Sequence, residues 1–165
     1  METTAQKEHK WLQQLVGEWE GEGEGTMEPG KPPIEFRGTV SFRPLGDLWV
    51  VGEGEGTSAS EGAEECGSGA TLMTLGYDPQ RGRFVGAFIA SMMTHMWVYD
   101  GALGADGKEV TLDTEGPNMA AEGQLARFRD VLRIEDDDHH TLNSHALGED
   151  GKWHQFMHAR YRRKR

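Results

Sequence analysis

The sequence predicts an all-β fold, a single antiparallel up-and-down barrel of about ten strands with one N-terminal helix capping an end. Three observations support this prediction. Apolar residues recur with a period of two from Gly17 to the end of the chain. Turn-forming segments separate the apolar runs at short spacing, which favours antiparallel neighbours. A helical pattern is found before Gly17. A closed barrel has no exposed edge strands, and a two-sheet sandwich is the alternative.

The predicted helix spans residues 5–16. Trp11 and Leu15 lie four residues apart, as do Leu12 and Val16, and together they form one apolar stripe. The next residue is a glycine, which is a typical helix stop. We expect Trp11 and Leu15 to plug or cover one end of the barrel.

The predicted strands follow one another with turns such as "DPQRG", "GADGK" and "GEDGK" between them. Residues 58–69, "SASEGAEECGSG", are rich in small and acidic residues, and we expect them to form a flexible loop. After an opening strand in "GEWEGEGEG", the strand segments are "PIEFRGTVSFRP", "DLWVVGEGEG", "ATLMTLGYD", "RFVGAFIASMM", "HMWVYDGAL", "EVTLDTEG", "LARFRDVLRIED", "HTLNSHAL" and "KWHQFMHARYRR".

Composition indicates one domain over residues 1–165 and narrows the classes of function. The net charge of -11 argues against a nucleic-acid binder, which usually presents a basic face, and it disfavours docking on an anionic membrane. No apolar run approaches the ~20 residues of a membrane-spanning helix, and the N-terminus lacks an export pattern. Cys66 is the single cysteine, which fits a reducing compartment, so we expect a cytoplasmic protein.

The stretch "LVGEWEGEGEGT" begins at Leu15 and places glycine at alternate positions. It is not a phosphate-binding loop, because no lysine follows the glycines and the next predicted element is a strand. In a strand, Trp19, Gly21 and Gly23 would face inward and the intervening glutamates outward. Glycine inside a strand often marks the close approach of another group. That group would be either a ligand or a bulky neighbouring side chain.

Several segments resemble known β-barrel families. Gly17-Glu18-Trp19 matches the Gly-x-Trp that opens the first strand of calycin (lipocalin-like) barrels, and "LVGEWEGEGEG" resembles the start of nitrobindin-like barrels. The chain is most similar to a bacterial domain family of unknown function with a lipocalin-like barrel. The matching segments are "LVGEWEG", "FRPLGDLWVVGE", "LGYDPQRGRFVG", "MWVYDGAL" and "ARYRR". The resemblance implies the fold and no particular activity.

The leading hypothesis for function is the binding of a small, mostly apolar molecule inside the barrel, without chemistry, since no standard catalytic or metal-binding motif is present. Methionines and aromatic residues near Met92 make an adaptable apolar lining. The predicted lining comprises Trp19, Gly21, Gly23, Phe36, Phe88, Met92, His95, Met96, Trp97, Tyr99, Met157 and Tyr161.

Two alternatives stay open. Nitrobindin-like proteins hold haem through a late-strand histidine, and the resemblance therefore implies a haem protein acting on nitrogen oxides or peroxynitrite through His158 or His95. Strand alternation opposes this for His158, because Met157, Ala159 and Tyr161 form the more apolar face; a β-bulge would reverse the alternation locally. The other alternative is a filled barrel that serves as an interaction module. A homodimer is compatible with either.

Overall fold

The computed structural model describes residues 3–26, 28–60 and 67–165. One short helix precedes ten strands. The elements are α1 (Lys7–Gln13), β1 (Gly17–Gly25), β2 (Ile34–Leu45), β3 (Trp49–Ser60), β4 (Gly67–Asp78), β5 (Arg83–Ala90), β6 (Trp97–Leu103), β7 (Glu109–Pro117), β8 (Leu125–Asp136), β9 (His139–Leu147) and β10 (Trp153–Arg163). In the described part of the chain, no helix is long and apolar enough to cross a membrane.

The ten strands form a closed antiparallel barrel in which each strand pairs with its neighbours along the chain. The last strand returns to pair with the first, so that β1 lies between β10 and β2. This arrangement confirms the predicted all-β barrel and replaces the sandwich alternative. Closure leaves no strand of the barrel with an unpaired edge.

Helix α1 is shorter than the predicted 5–16, because the chain leaves α-helical geometry after Gln13 and continues as a turn. Gly17 is therefore not the helix stop: it is the first residue of β1 and has a φ of 137°. The predicted apolar stripe is nevertheless buried, with Leu12 and Leu15 at 1% and 0% exposure. The indole of Trp11 donates a hydrogen bond to the backbone oxygen of Gly107 and so ties α1 to the β6–β7 turn.

The predicted loop at 58–69 is mostly strand where it is described. Strand β3 runs through Ser60, and β4 starts at Gly67, so residues 58–60 and 67–69 are not loop. Ser58 pairs with Phe36 on one side and with Gly67 on the other. Residues 61–66, including Cys66, lie outside the described residues. Backbone pairing with neighbouring strands outweighs the weak strand propensity of serine and glycine here.

The inward glycines are covered by large side chains of adjacent strands. A Cβ on Gly21 would overlap the ring of Tyr161, and one on Gly23 would overlap the ring of Phe36. Gly52 lies under the ring of Phe42 in the same way. Thus the space that glycine leaves beside β1 is filled by the protein's own side chains. Glycine here allows aromatic rings to lie flat along the inner wall.

The glutamates of β1 face outward, as predicted, and pair with arginines. Glu20 lies 3.1 Å from Arg162 and Glu22 lies 3.8 Å from Arg160, both on β10. Arg43 of β2 lies 3.5 Å from Glu53 of β3. All of these pairs are exposed and contribute little stability individually.

The barrel interior has two different halves. The half covered by α1 is packed tightly, with Trp19, Val50, Leu75, Phe84 and Leu112 each at 1% exposure or less. The half at the opposite end is framed by the turns that follow β1, β5, β7 and β9. Several of its inward side chains, including Phe36 and Trp97, keep part of their surface accessible to water. We call these the closed half and the open half.

Arg163 joins the end of β10 to the segment between α1 and β1. Its guanidinium donates to the backbone oxygens of Val16 at 2.6 Å and Gln14 at 2.9 Å, and it lies 4.2 Å above the ring of Trp19. The planar guanidinium therefore provides hydrogen bonds to two carbonyls that follow the helix and at the same time stacks on the ring of Trp19.

We expect Arg163→Lys to lower the free energy of unfolding by about 1–3 kcal/mol, because lysine cannot make this set of hydrogen bonds and stack at once. Arg162→Lys is the matched control, since the adjacent Arg162 makes an exposed ion pair with Glu20. Urea denaturation of the three proteins measures the difference. Equal losses for the two variants would contradict the role given to Arg163.

Two inward glycines provide a test of the packing along the wall. A Cβ on Gly38 would overlap the backbone of Glu55 and Gly56, which cannot move aside, whereas a Cβ on Gly54 would meet the hydroxyl of Thr71. Neither glycine has a positive φ. We expect Gly38→Ala to destabilise the protein by about 1–3 kcal/mol and Gly54→Ala by clearly less, because a side chain can rotate away. Denaturant midpoints that rank the variants in the opposite order would show that the wall is not rigid at Gly38.

Candidate functional site

The open half has an aromatic inner wall. Phe36, Phe88, Trp97 and Met157 point inward from four different strands, and all four are partly exposed. The rings of Trp97 and Phe128 meet edge to face with their centroids 5.1 Å apart. The closed half, by contrast, leaves its largest inward side chains, such as Trp19 and Phe84, almost no accessible surface. Accessible apolar surface facing inward is typical of a site for a small molecule.

Asp130 lies at the base of the open half and accepts two short hydrogen bonds. The hydroxyl of Tyr99 donates to Oδ2 at 2.6 Å, and the hydroxyl of Ser144 donates to Oδ1 at 2.6 Å. The three residues come from β6, β8 and β9 and share the inward face because each alternates with apolar neighbours. Tyr99, Asp130 and Ser144 are called the polar cluster below.

Burial sets the protonation behaviour of this cluster. Burial raises the pKa of Asp130, and the hydrogen bonds from Ser144 and Tyr99 act in the opposite direction, with a smaller contribution from His145. The pKa of Tyr99 is raised well above its usual value, first by burial and then by the charge of Asp130. The pKa of Tyr161 is raised by burial and by Asp130 as well. Both tyrosines therefore keep their hydroxyl protons at neutral pH.

No lysine or arginine among the described residues forms an ion pair with Asp130. A second polar group nearby is also incompletely satisfied. Thr114 faces inward on β7, diagonally across from Asp130, and its buried hydroxyl has no hydrogen-bond partner in the described part of the chain. Buried polar groups are normally paired, so this region has bonding capacity that the protein's own described side chains do not use.

His140 marks the boundary with the closed half. Its ring stacks on Tyr161 with centroids 4.6 Å apart and meets the edge of Trp19 at 4.3 Å. Burial, with a smaller contribution from Arg163, lowers the pKa of His140 to about 3. Its Nδ1 has no partner among the described residues. The imidazole is therefore neutral at physiological pH and packs as an aromatic ring.

The structure divides the predicted lining residues between the two halves and the surface. Phe36, Phe88, Trp97 and Met157 lie in the open half, and Tyr161 and Tyr99 lie deeper, beside His140 and Asp130 respectively. Gly21 and Gly23 belong to the wall but lie under Tyr161 and Phe36.

Three of the predicted lining residues lie elsewhere. Trp19 is buried in the closed half at 1% exposure, where it donates a hydrogen bond to the backbone oxygen of Leu15. Met92 and Met96 belong to the β5–β6 turn and are 65% and 56% exposed, and the terminal methyl of Met92 lies over the inward Gly69 at the rim of the open half. Met96 immediately precedes the inward Trp97, so alternation directs its side chain outward.

The predicted haem ligands do not fit a haem inside the barrel. His158 faces outward beside Asn143, with which its Nδ1 is hydrogen-bonded, while Met157 and Ala159 face inward. A register shift does occur on β10, between Gln155 and Met157, but it leaves the orientation of His158 unchanged.

His95 lies in the β5–β6 turn with its ring edge against Trp97. Its Nε2 donates to the backbone oxygen of Glu115 at 2.9 Å and is therefore occupied. No group of three or more His, Cys, Asp or Glu side chains in residues 3–26, 28–60 and 67–165 is placed to hold a metal ion.

Asp130 and Ser144 were not identified from the sequence, although strand alternation would have placed them. Asp130 has the same parity as Phe128 and Leu132, two apolar residues expected to point inward. The arginines near it on β8, Arg129 and Arg133, have the opposite parity and point outward. Ser144 alternates in the same way with Leu142. An acidic residue in the inward row of a barrel strand was the available signal.

The outer face of the barrel carries a separate open groove of approximately 1270 Å³ across β10, β1, β2, β3 and β4. Most of its lining side chains point outward, including Glu20, Glu22, Arg37 and Arg160. Charges of both signs alternate along it, and Tyr161 of the barrel interior also contributes to its lining.

The neutral state of His140 has a consequence for stability. In the unfolded chain the histidine pKa is about 6.5, so the unfolded state binds more protons than the native state between pH 6.5 and about 3. We therefore expect the free energy of unfolding to fall with decreasing pH through this window, by up to about 1.4 kcal/mol per pH unit from this group.

His140→Phe should remove that contribution, so that the variant gains stability relative to the wild type as the pH falls from 7 to 5. His139→Gln is the control, because the adjacent His139 is exposed and bonded to Asp136. Denaturation at several pH values gives the comparison. If the free energies of unfolding of wild type and His140→Phe differ by the same amount at every pH, the pKa of His140 is the same in the folded and unfolded states.

Comparisons with known proteins agree with this fold. The sequence profile of a family described as "Protein of unknown function (DUF1579)" matches residues 4–163. The crystal structure of Rv2717c from M. tuberculosis has a TM-score of 0.63 at 16% identity, covering 98% of this chain and 100% of that one. A fluorescence-activating β-barrel obtained by de novo design has a TM-score of 0.48 at 16% identity, covering 92% of this chain and 95% of that one. A search of curated proteins finds no match.

Proposed function

Because the chain belongs to the DUF1579 family of unknown function, as the resemblance in its sequence motifs predicted, we propose a function from the geometry of its own barrel. The protein binds one small, mostly apolar molecule in the open half. The observation that supports this most directly is the contrast between the two halves. Trp19 and Phe84 of the closed half are almost completely buried, whereas Phe36, Phe88, Trp97 and Met157 of the open half keep accessible surface.

The physical reason for binding is the removal of that surface from water. Burying apolar area yields roughly 25 cal/mol per Å², and a site formed in advance by rigid strands does not have to be ordered by the ligand. The closed half contributes by fixing one end of the barrel. The helix, Arg163 and Trp19 hold this end together and leave the opposite mouth as the route of entry.

The proposal includes binding without a chemical step, in the cytoplasm. The acidic composition and the single cysteine support a location away from nucleic acid and outside oxidising compartments. The open half is formed by the strands of one chain, so the proposed site is compatible with a homodimer as well.

A substitution that fills the open half tests the proposal. Ala146 points inward beside Phe128 and is partly exposed, so Ala146→Phe would place a ring in the pocket. Ala102 on β6 is exposed on the outer face and gives the matched control, Ala102→Phe. We expect wild type and Ala102→Phe to bind the neutral dye Nile red, with a blue-shifted emission, and Ala146→Phe to bind it at least about tenfold more weakly.

Thermal unfolding of each variant confirms that the barrel is intact before the titrations are compared. Equal dye affinity in all three proteins would place the dye outside the open half. Failure of the wild type to bind the dye, together with the absence of any small molecule in the mass spectrum of the denatured, natively purified protein, would overturn the proposal.

A further inference from the structure

We infer that the molecule bound in the open half has an amine at one end, and that Asp130 binds this amine. The inference rests on the proposed function and specifies the chemical class of its ligand as an apolar amine. Asp130 can accept further hydrogen bonds, has no salt-bridge partner among the described residues and lies near aromatic rings.

Asp130 has acceptor capacity to spare. A carboxylate offers about four lone-pair sites on its two oxygens. Tyr99 and Ser144 each donate one hydrogen bond, one to each oxygen. These donors hold the carboxylate in a fixed orientation without saturating it. A third donor from a ligand would complete the set, and an ammonium group provides up to three N–H donors in a compact volume.

The charge of Asp130 is not balanced by a salt bridge from the described residues. The interior histidine, His140, is neutral at physiological pH, and Arg163 belongs to the closed half over Trp19. His145 on the opposite face of β9 makes the smallest contribution to the pKa of Asp130, and its side chain forms no ion pair with Asp130 in the described part of the chain. Leaving a carboxylate unpaired in an apolar interior is costly. A cationic ligand would remove this cost, whereas an anionic ligand would add a second like charge. The charge of Asp130 therefore disfavours the binding of fatty-acid anions.

The surroundings of Asp130 suit a cation with an apolar body. Trp97 and Phe128 lie two residues from Tyr99 and Asp130 on the same strands and faces, nearer the mouth, and their rings touch. Aromatic faces attract ammonium groups and also bind hydrocarbon. The hydroxyl of Thr114, which has no partner in the described chain, lies on the adjacent strand as an additional polar contact.

Access is available from the open half. Asp130 lies deep in the barrel but keeps part of its surface accessible to water. The net charge of -11 favours the approach of cations over anions.

Three probes of the same shape test the inference: 3-phenylpropylamine, 3-phenylpropan-1-ol and 3-phenylpropanoate. Their affinities at pH 7 are measured by displacement of Nile red and by calorimetry. We expect the wild type to bind the amine at least about tenfold more tightly than the alcohol, as for a charge-assisted hydrogen bond in a partly buried site, and the acid most weakly.

Asp130→Asn keeps the shape of the side chain and removes its charge. We expect this variant to bind amine and alcohol within about threefold of each other. Glu115→Gln is the matched control, since Glu115 is exposed on the outer face of β7 near the same mouth. It should keep the preference for the amine, which separates local recognition from the effect of overall charge.

The outcomes distinguish the two proposals. If the alcohol or the acid binds as well as the amine, the amine class is wrong while the apolar site stands. If Asp130→Asn keeps the preference, Asp130 is not its source. If none of the probes binds the wild type and Nile red does not bind either, both proposals fail. Should Asp130→Asn not fold, the ranking of the three probes on the wild type still decides whether the ligand class is correct.

Discussion

The pairing of β1 with β10 is the constraint on which the rest of the structure depends. A sheet of ten strands becomes a barrel when its first and last strands meet, and here they pair from Trp19 with Arg163 to Gly25 with Met157. Alternate glycines allow the large inner side chains of β10 and β2 to lie over the β1 backbone. The glutamates between them form outward ion pairs with β10. The glycine–glutamate stretch is thus the closing strand of the barrel.

Closure also explains why one half of the interior is filled and the other is not. The end of β10 brings Arg163 to Trp19 and to the carbonyls after α1, so the helix is fixed over one end. This packing uses the largest apolar side chains on the closed half. The opposite half has aromatic residues spaced by glycine, alanine and serine, which leave accessible surface. The polar cluster lies between the two, where a rigid floor meets an open mouth.

Much of the fold was predictable because the alternation of apolar and polar residues is a strong, local signal. It placed Trp19 inward and the β1 glutamates outward, and both placements are confirmed. The length of α1 was not predictable in the same way, because residues after Gln13 keep the apolar spacing while the backbone turns. The segment near Ser58 resembles a loop in composition, and its strand structure comes from partners distant in sequence.

The candidate site was predictable in its aromatic part and not in its polar part. Phe88 and Trp97 follow from alternation alone. Asp130 has the same parity, but its function depends on Tyr99, which reaches it from a strand two positions away in the barrel. Neither the sequence of β6 nor that of β8 contains a pattern that predicts this contact across β7. The packing of Trp19 against His140 is also tertiary, and it removes Trp19 from the open half.

The meeting of the first and last strands determines the order in which the chain can reach its native state. Glu20 and Arg162 are 142 positions apart, and the other contacts of this seam span similar distances. Forming them requires closure of nearly the entire chain, the most entropically demanding loop the molecule contains. Hairpins between consecutive strands can form early, while a ribosome-bound chain lacking β10 has to remain an open sheet with two unpaired edges. Native topology of this kind makes the pairing of β10 with β1 the step that commits the molecule to its final form.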